Sequence, residues 1–171
     1  NKIIAELSKS QKTVAEGSLT PIKVLISQFY GIEINDFAVN VAKTALYIAE
    51  HQTRKETEAI IEIQDDYLPL KHYTNIIRSN AITFHWQDLI KPEKLNYIIS
   101  NPPFYGHQWR TEDQKLDMKA AFHDLEDSGK FDYVCAWYNK ALDFIKGTEI
   151  KAVFVSTNSI CQGESVNSFW K

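Results

Sequence analysis

Along the chain, short β-like apolar runs alternate with stretches of helical spacing. Residues 2–16 favour a helix, and Gly17 offers a stop. Phe29-Tyr30-Gly31-Ile32-Glu33-Ile34 is a short β-rich run, after which Asn35-Asp36 offers a helix N-cap. Val41, Ala42, Ala45, Ile48 and Ala49 then recur at i, i+1, i+4, i+7 and i+8, which predicts one apolar helix face. Residues 53–80 are charged, carry Pro69, and read as part helix and part surface loop. Ala81-Ile82-Thr83-Phe84-His85 reads as a strand. Leu95-Asn96-Tyr97-Ile98-Ile99-Ser100 reads as a buried strand, halted by Pro102 and Pro103. Residues 112–122 look helical. Val134, Trp137, Tyr138, Ala141, Phe144 and Ile145 form a helical stripe that Gly147 ends. Lys151-Ala152-Val153-Phe154-Val155 is a further strand with a polar turn after it, and a last helix is expected to start at Glu164.

Strands separated by helical crossovers predict an α/β fold with a mostly parallel sheet. Ligands of such sheets bind beyond the carboxyl ends of the strands, so the residues just after each strand are where chemistry is sought. Composition adds limits. The 171 residues suffice for one domain, and 44% hydrophobic with 12% aromatic residues exclude a disordered chain. A net charge of −3 is unlike a stand-alone DNA binder, so phosphate contacts to any DNA substrate must come from elsewhere. Cys135 and Cys161 form no CxxC pair, and the five histidines make no HxH or HxxxH, so no metal is expected. No apolar run approaches membrane-spanning length, and no signal-peptide core precedes the first element. The chain starts at Asn1, and it is expected to be a single partial domain over residues 1–171, cut from a longer parent.

Asn101-Pro102-Pro103-Phe104 is the sharpest feature, directly after the apolar run that ends at Ser100. Two prolines fix φ and remove competing N–H donors. An Asn side-chain oxygen and a rigid carbonyl can accept both hydrogens of an amino group, and an adjacent aromatic ring can stack on a planar one. Together they describe a holder for an aromatic amine. The plain alternative is a strand-ending turn with a stacked ring, since turns favour Asn and Pro.

With this motif the sequence resembles the class I, Rossmann-like amino-group methyltransferases, whose catalytic motif is Asn/Asp/Ser-Pro-Pro-aromatic after the fourth strand. Tyr30-Gly31-Ile32-Glu33-Ile34 is similar to the second-strand motif of that class. The resemblance gives Glu33 the ribose hydroxyls of S-adenosyl-L-methionine and lets Ile34 pack on its adenine. Trp86-Gln87-Asp88-Leu89 is similar to the motif whose acid, here Asp88, reaches the adenine amino group of the cofactor, with Leu89 beside it. Two longer stretches, Phe131-Asp132-Tyr133-Val134-Cys135-Ala136-Trp137-Tyr138 and Phe154-Val155-Ser156-Thr157-Asn158-Ser159-Ile160-Cys161-Gln162-Gly163-Glu164, resemble the MmeI-like restriction–modification enzymes. That resemblance covers roughly residues 28–170. It implies a prokaryotic, cytoplasmic enzyme that methylates the N6 amino group of adenine flipped out of double-stranded DNA. Recognition of the DNA falls to a separate domain of the parent. Asn101, Pro102, Pro103 and Phe104 are then the catalytic set. Gln108, Trp109 and Arg110 lie in the loop after it and are candidates for DNA contact or for an ordinary surface loop.

One departure matters. The glycine-rich motif of the class, which cradles the methionine half of the cofactor, is absent, since the six glycines include no GxG. The fold expected is therefore α/β, a Rossmann-like, mostly parallel sheet of a class I methyltransferase, truncated at both ends, with the first strand and glycine-rich loop missing. The isolated chain is expected to bind the cofactor weakly or not at all, to be inactive by itself, and to self-associate over exposed strand edges. The holder alone leaves RNA bases and protein glutamine amides open as substrates. A nicotinamide-dependent oxidoreductase would need the GxGxxG fingerprint.

Overall fold

The computed structural model describes residues 24–59, 75–123, 125, 128–162 and 166–170. The predicted helix at residues 2–16 lies outside them. The chain divides into two units, Asn1–Ser79 and Asn80–Lys171.

The first unit is a strand–helix–strand crossover. A short 3-10 turn leads into β1 (Tyr30–Glu33), which runs parallel to β2 (Asn75–Arg78) with Tyr30 opposite Asn75 and Glu33 opposite Arg78. Between them in sequence, α1 (Asp36–Glu58) packs on both strands. Asn35 starts α1 as predicted, its side-chain oxygen accepting from the Ala38 N–H at 3.1 Å. Gly31 faces Ile76 so closely that a Cβ there would lie 2.7 Å from the Ile76 Cδ1. The Asn75 amide donates to the Ser27 carbonyl at 2.9 Å, tying the turn before β1 to β2.

One expectation is corrected in this unit. The face of α1 that is buried carries Val39 and Thr57, whereas Val41 and Ile48 of the predicted stripe stay 49% and 53% exposed. A two-strand sheet covers one narrow stripe of a helix, and Val39 rather than Val41 lies on it. The helical part expected within residues 53–80 is found at its start: α1 continues through the charged residues 53–58, helped by an Arg54–Glu58 pair one turn apart at 2.9 Å.

The second unit opens with a correction. Residues 81–85 are not a strand: they form a turn, and the strand lies earlier, at β2. Asn80 captures the turn, its side-chain oxygen accepting from the Ile82 N–H and its carbonyl from the Phe84 N–H, both at 2.9 Å. The single turn α2 (Trp86–Leu89) follows, then β3 (Tyr97–Ser100), α3 (Glu112–Phe122), α4 (Cys135–Ile145), β4 (Lys151–Phe154) and the short α5 (Val166–Phe169). β3 and β4 pair in parallel, with Tyr97 opposite Lys151 and Ser100 opposite Phe154.

The predicted helix at residues 112–122 is met at both ends. Thr111 and Gln114 form a reciprocal capping box, with the Gln114 N–H to Thr111 Oγ1 at 3.3 Å and the Thr111 N–H to Gln114 Oε1 at 3.0 Å. Gly147, at φ +77°, follows α4 as the expected stop. The core of this unit gathers Ile82, Met118, Phe122, Phe131, Tyr133, Cys135 and Ala136. Phe131 is fully buried and meets Phe122 and Phe169 edge-on, with centroids 5.3 and 5.6 Å away.

Candidate active site

The parallel register of β3 and β4 brings their carboxyl ends to the same level, and the Val155 N–H extends the ladder by donating to the Ser100 carbonyl at 3.1 Å. Residues 101–104 and 155–160 therefore leave the same end of one strand pair, where parallel sheets put their chemistry. Pro102 is buried and anchors its segment, while Asn101 and Pro103 are exposed and Phe104 is 47% exposed. Among the described residues, neither the Asn101 side chain nor the Pro102 carbonyl has a hydrogen-bond partner. Two acceptors and a ring thus remain open in this segment.

A polar buckle behind this segment was not anticipated from the sequence. Asp132 Oδ2 accepts hydrogen bonds from Thr157 Oγ1, at 2.8 Å, and from Ser159 Oγ, while the two hydroxyls meet at 2.5 Å. The Tyr133 N–H donates to the Tyr105 carbonyl at 3.0 Å, and the two tyrosine rings pack edge-on at 6.4 Å. One segment thus holds the loop after β3 and the loop after β4. The available signal was the run Ser156-Thr157-Asn158-Ser159 directly after a strand, but nothing in it names Asp132 as the partner.

Beside it, Asp117 is buried on α3 and accepts from the Asn80 amide at both oxygens, 2.9 and 3.0 Å, and from the Tyr133 hydroxyl at 2.5 Å. Burial, reinforced by that hydrogen bond to a carboxylate, pushes the Tyr133 hydroxyl well above its ordinary ionisation range. Arg110 differs from the expectation of a DNA contact. It is 8% exposed, and its guanidinium donates to the Gly129 and His107 carbonyls. Burial lowers its pKa, with Asp132 acting the other way. Its charge serves to fix the loop. Trp109 and Gln108 in the same loop are exposed.

The residues assigned to the cofactor fall in both units. Glu33 and Ile34 are placed by the first, at the carboxyl end of β1. Glu33 Oε1 accepts from the Asn35 N–H at 2.8 Å, which orients the carboxylate, and Ile34 is exposed. Asp88 and Leu89 are placed by the second. Asp88 is exposed on α2, a turn pinned by Trp86, whose indole donates to the Ala81 carbonyl at 2.8 Å and packs on Phe144.

Parallel strands joined through helices, with polar segments following their carboxyl ends, define an α/β arrangement of the Rossmann-like kind. The chain matches the family described as the DNA-methyltransferase domain of MmeI over residues 1–171, and it belongs to that family. It is 35% identical over 167 residues to DNA methyltransferase A of Bacillus subtilis (strain 168), covering 96% of this chain and 19% of that protein. It also superposes with a TM-score of 0.81 and 37% identity on the solved structure of the Type IIL restriction-modification enzyme MmeI in complex with DNA. That match covers 87% of this chain and 20% of the MmeI chain. The chain therefore spans a small part of each relative. Among the described residues, no helix is long and apolar enough to cross a membrane.

Proposed function

We propose that this chain is the catalytic part of an enzyme that methylates the N6 amino group of adenine in DNA with S-adenosyl-L-methionine as donor. The observation that carries the reading is the Asn101-Pro102-Pro103-Phe104 segment. It leaves the end of a parallel strand with two acceptors that have no partner among the described residues and a half-exposed ring, in a chain whose family is a DNA-methyltransferase domain.

Taken unit by unit, the residues assigned to the cofactor suit parts of it. Glu33 has one carboxylate oxygen engaged by the Asn35 N–H and leaves the other lone pairs for vicinal ribose hydroxyls. Asp88 is an exposed acid with no described partner, suited to an exocyclic amine. Ile34 and Leu89 supply apolar surface for the adenine ring. When bound, S-adenosyl-L-methionine supplies an electrophilic sulfonium methyl group. The sequence carries no GxG, the motif with which the class cradles the methionine half of the cofactor.

The chain's own residues act on the adenine, which must leave the helix because its amino group is otherwise paired. Phe104 stacks on the extruded base. The Asn101 oxygen and the Pro102 carbonyl accept the two amino hydrogens, which draws the nitrogen lone pair out of conjugation and aims it away from the ring plane. The methyl group would come from the bound cofactor, and the proton that the amino nitrogen then carries in excess would leave to water. Positioning and exclusion of water carry the rate.

The test uses the intact parent, methyl-labelled cofactor and duplex DNA digested to nucleosides. Label is expected in N6-methyladenine and lost in Asn101→Ala, with cofactor binding retained. Unlabelled DNA with the wild-type parent, or full activity in Asn101→Ala, overturns the reading.

A further inference from the structure

The four tryptophans of the chain have different fates. Trp86 is buried, and Trp137 packs edge-on against Tyr133 with centroids 5.2 Å apart. Trp170 donates from its indole to the Ile160 carbonyl at 2.6 Å and contacts the Tyr138 and Phe169 rings. Trp109 alone is 79% exposed, with no ring contact and no hydrogen bond from its indole among the described residues. A large aromatic surface is left in water, although a buried ring of this size is a dominant source of stability.

The loop that displays it is held at several points. The Tyr105 carbonyl is bound by the Tyr133 N–H, and the Trp109 N–H donates to the Gly106 carbonyl at 2.9 Å. Arg110 spends its guanidinium on the His107 and Gly129 carbonyls, and Thr111 caps α3 directly after it. The sequence Phe104-Tyr105-Gly106-His107-Gln108-Trp109-Arg110-Thr111 contains no carboxylate that would repel a phosphate backbone. An exposed indole is thus presented five residues beyond Phe104 on a loop whose neighbouring side chains fix it. This is the form of a preorganised stacking contact.

We propose that Trp109 is a second base-stacking residue, distinct from Phe104, which packs against a base of the duplex opened at the target adenine. Every base offers a π-face, so the contact needs no sequence information, and it offsets the unstacking that extrusion requires. The inference rests on residues 101–104 being the amine holder for DNA.

The experiment compares wild type, Trp109→Ala and Trp109→Phe in the intact parent. It measures duplex binding and single-turnover methyl transfer on two substrates, a fully paired duplex and one with the target adenine opposite an abasic site. On the paired duplex Trp109→Ala is expected to lose about 10- to 100-fold in transfer efficiency, with cofactor affinity unchanged. Trp109→Phe recovers much of the loss, and the defect shrinks on the abasic duplex, where the base is already unpaired. Wild-type behaviour of Trp109→Ala on the paired duplex overturns the proposal, as does an equal loss on both duplexes. Failure of the underlying reading is distinct, because the wild-type parent then transfers no methyl group to adenine in either duplex.

Discussion

Removing a single oxygen at Tyr133 tests the buried network of the second unit. In Tyr133→Phe the ring keeps its edge contacts with Trp137 and Tyr105, so packing is conserved and only the donor to Asp117 is lost. A hydrogen bond to a charged group contributes about 1.5–3 kcal/mol. Asp117 retains the Asn80 amide on both oxygens, so the expected cost is about 2 kcal/mol at pH 7. The pH dependence fixes the sign independently. The Tyr133 pKa is raised in the folded state by burial and then by Asp117, so the hydroxyl's contribution is complete below the unfolded tyrosine value, about 10. It is lost as pH climbs from there toward the folded value, at about 1.4 kcal/mol per pH unit. The wild-type advantage over Tyr133→Phe should therefore vanish roughly 1.5 units above that point, near pH 11.5. Urea unfolding of both proteins at a series of pH values from 7 to 11.5 measures the gap, and groups common to both cancel. A gap that stays constant across the series, or no gap at pH 7, refutes the reasoning.

Two further outcomes follow from single contacts. Gly31→Ala puts a Cβ 2.7 Å from Ile76 Cδ1 and is expected to cost roughly 1–3 kcal/mol in urea unfolding. Adding Ile76→Val removes that carbon, so the double variant should be less destabilised than the sum of the singles, and additivity would contradict the contact. Burial pushes the Cys135 thiol up to about 12, whereas Cys161 is exposed. Iodoacetamide at pH 8 should alkylate Cys161 in the folded chain and both thiols after unfolding. Equal rates at the two cysteines in the folded chain would contradict the burial.

Local chemistry was readable where one residue decides an element. Asn35 starts α1 and Thr111 with Gln114 starts α3, each through a contact within a few residues of itself, and Gly147 follows α4 in the left-handed conformation at φ +77°. The reading failed where distant residues decide. Residues 81–85 alternate in strand period, but Asn80 is held by Asp117, 37 residues away, and turns the chain there. β2 offers only Ile76 and Ile77 as apolar residues and is a strand because β1 pairs with it. The helix face was misassigned because periodicity gives the spacing of a stripe, and only the sheet beneath selects the stripe that is covered. The strand-end residues Glu33 and Asn101 could be singled out by their position after apolar runs. The solvent position of Trp109 and the burial of Arg110 could not, because neighbours in sequence share composition and not environment.

Asp132 shows how a long-range pair links stretches that composition treats separately. Phe131-Asp132-Tyr133 and the run from Ser156 to Ser159 lie in the two stretches that together carry the family resemblance, and the structure joins them through one carboxylate oxygen. The neighbouring Tyr133 N–H holds Tyr105, one residue past the Asn-Pro-Pro-Phe segment. Asp132 is thus a positioning residue in the proposed mechanism: it touches neither the amine nor the donor, and it ties the loop that carries them to the loop after β4. Asp132→Ala leaves two hydroxyls without their acceptor, at about 1–3 kcal/mol for each group left unsatisfied. Thr157 and Ser159 can bond each other, which places the cost near the lower end. Single-turnover transfer by the intact parent should slow, with cofactor affinity unchanged. Asp132→Asn keeps an acceptor oxygen and should restore most of the rate. Thr157→Val combined with Ser159→Ala should reproduce the slow step through the other side of the same contact. Full-rate transfer by Asp132→Ala, or equal losses in the Ala and Asn variants, would remove Asp132 from the mechanism and leave the buckle a purely structural link.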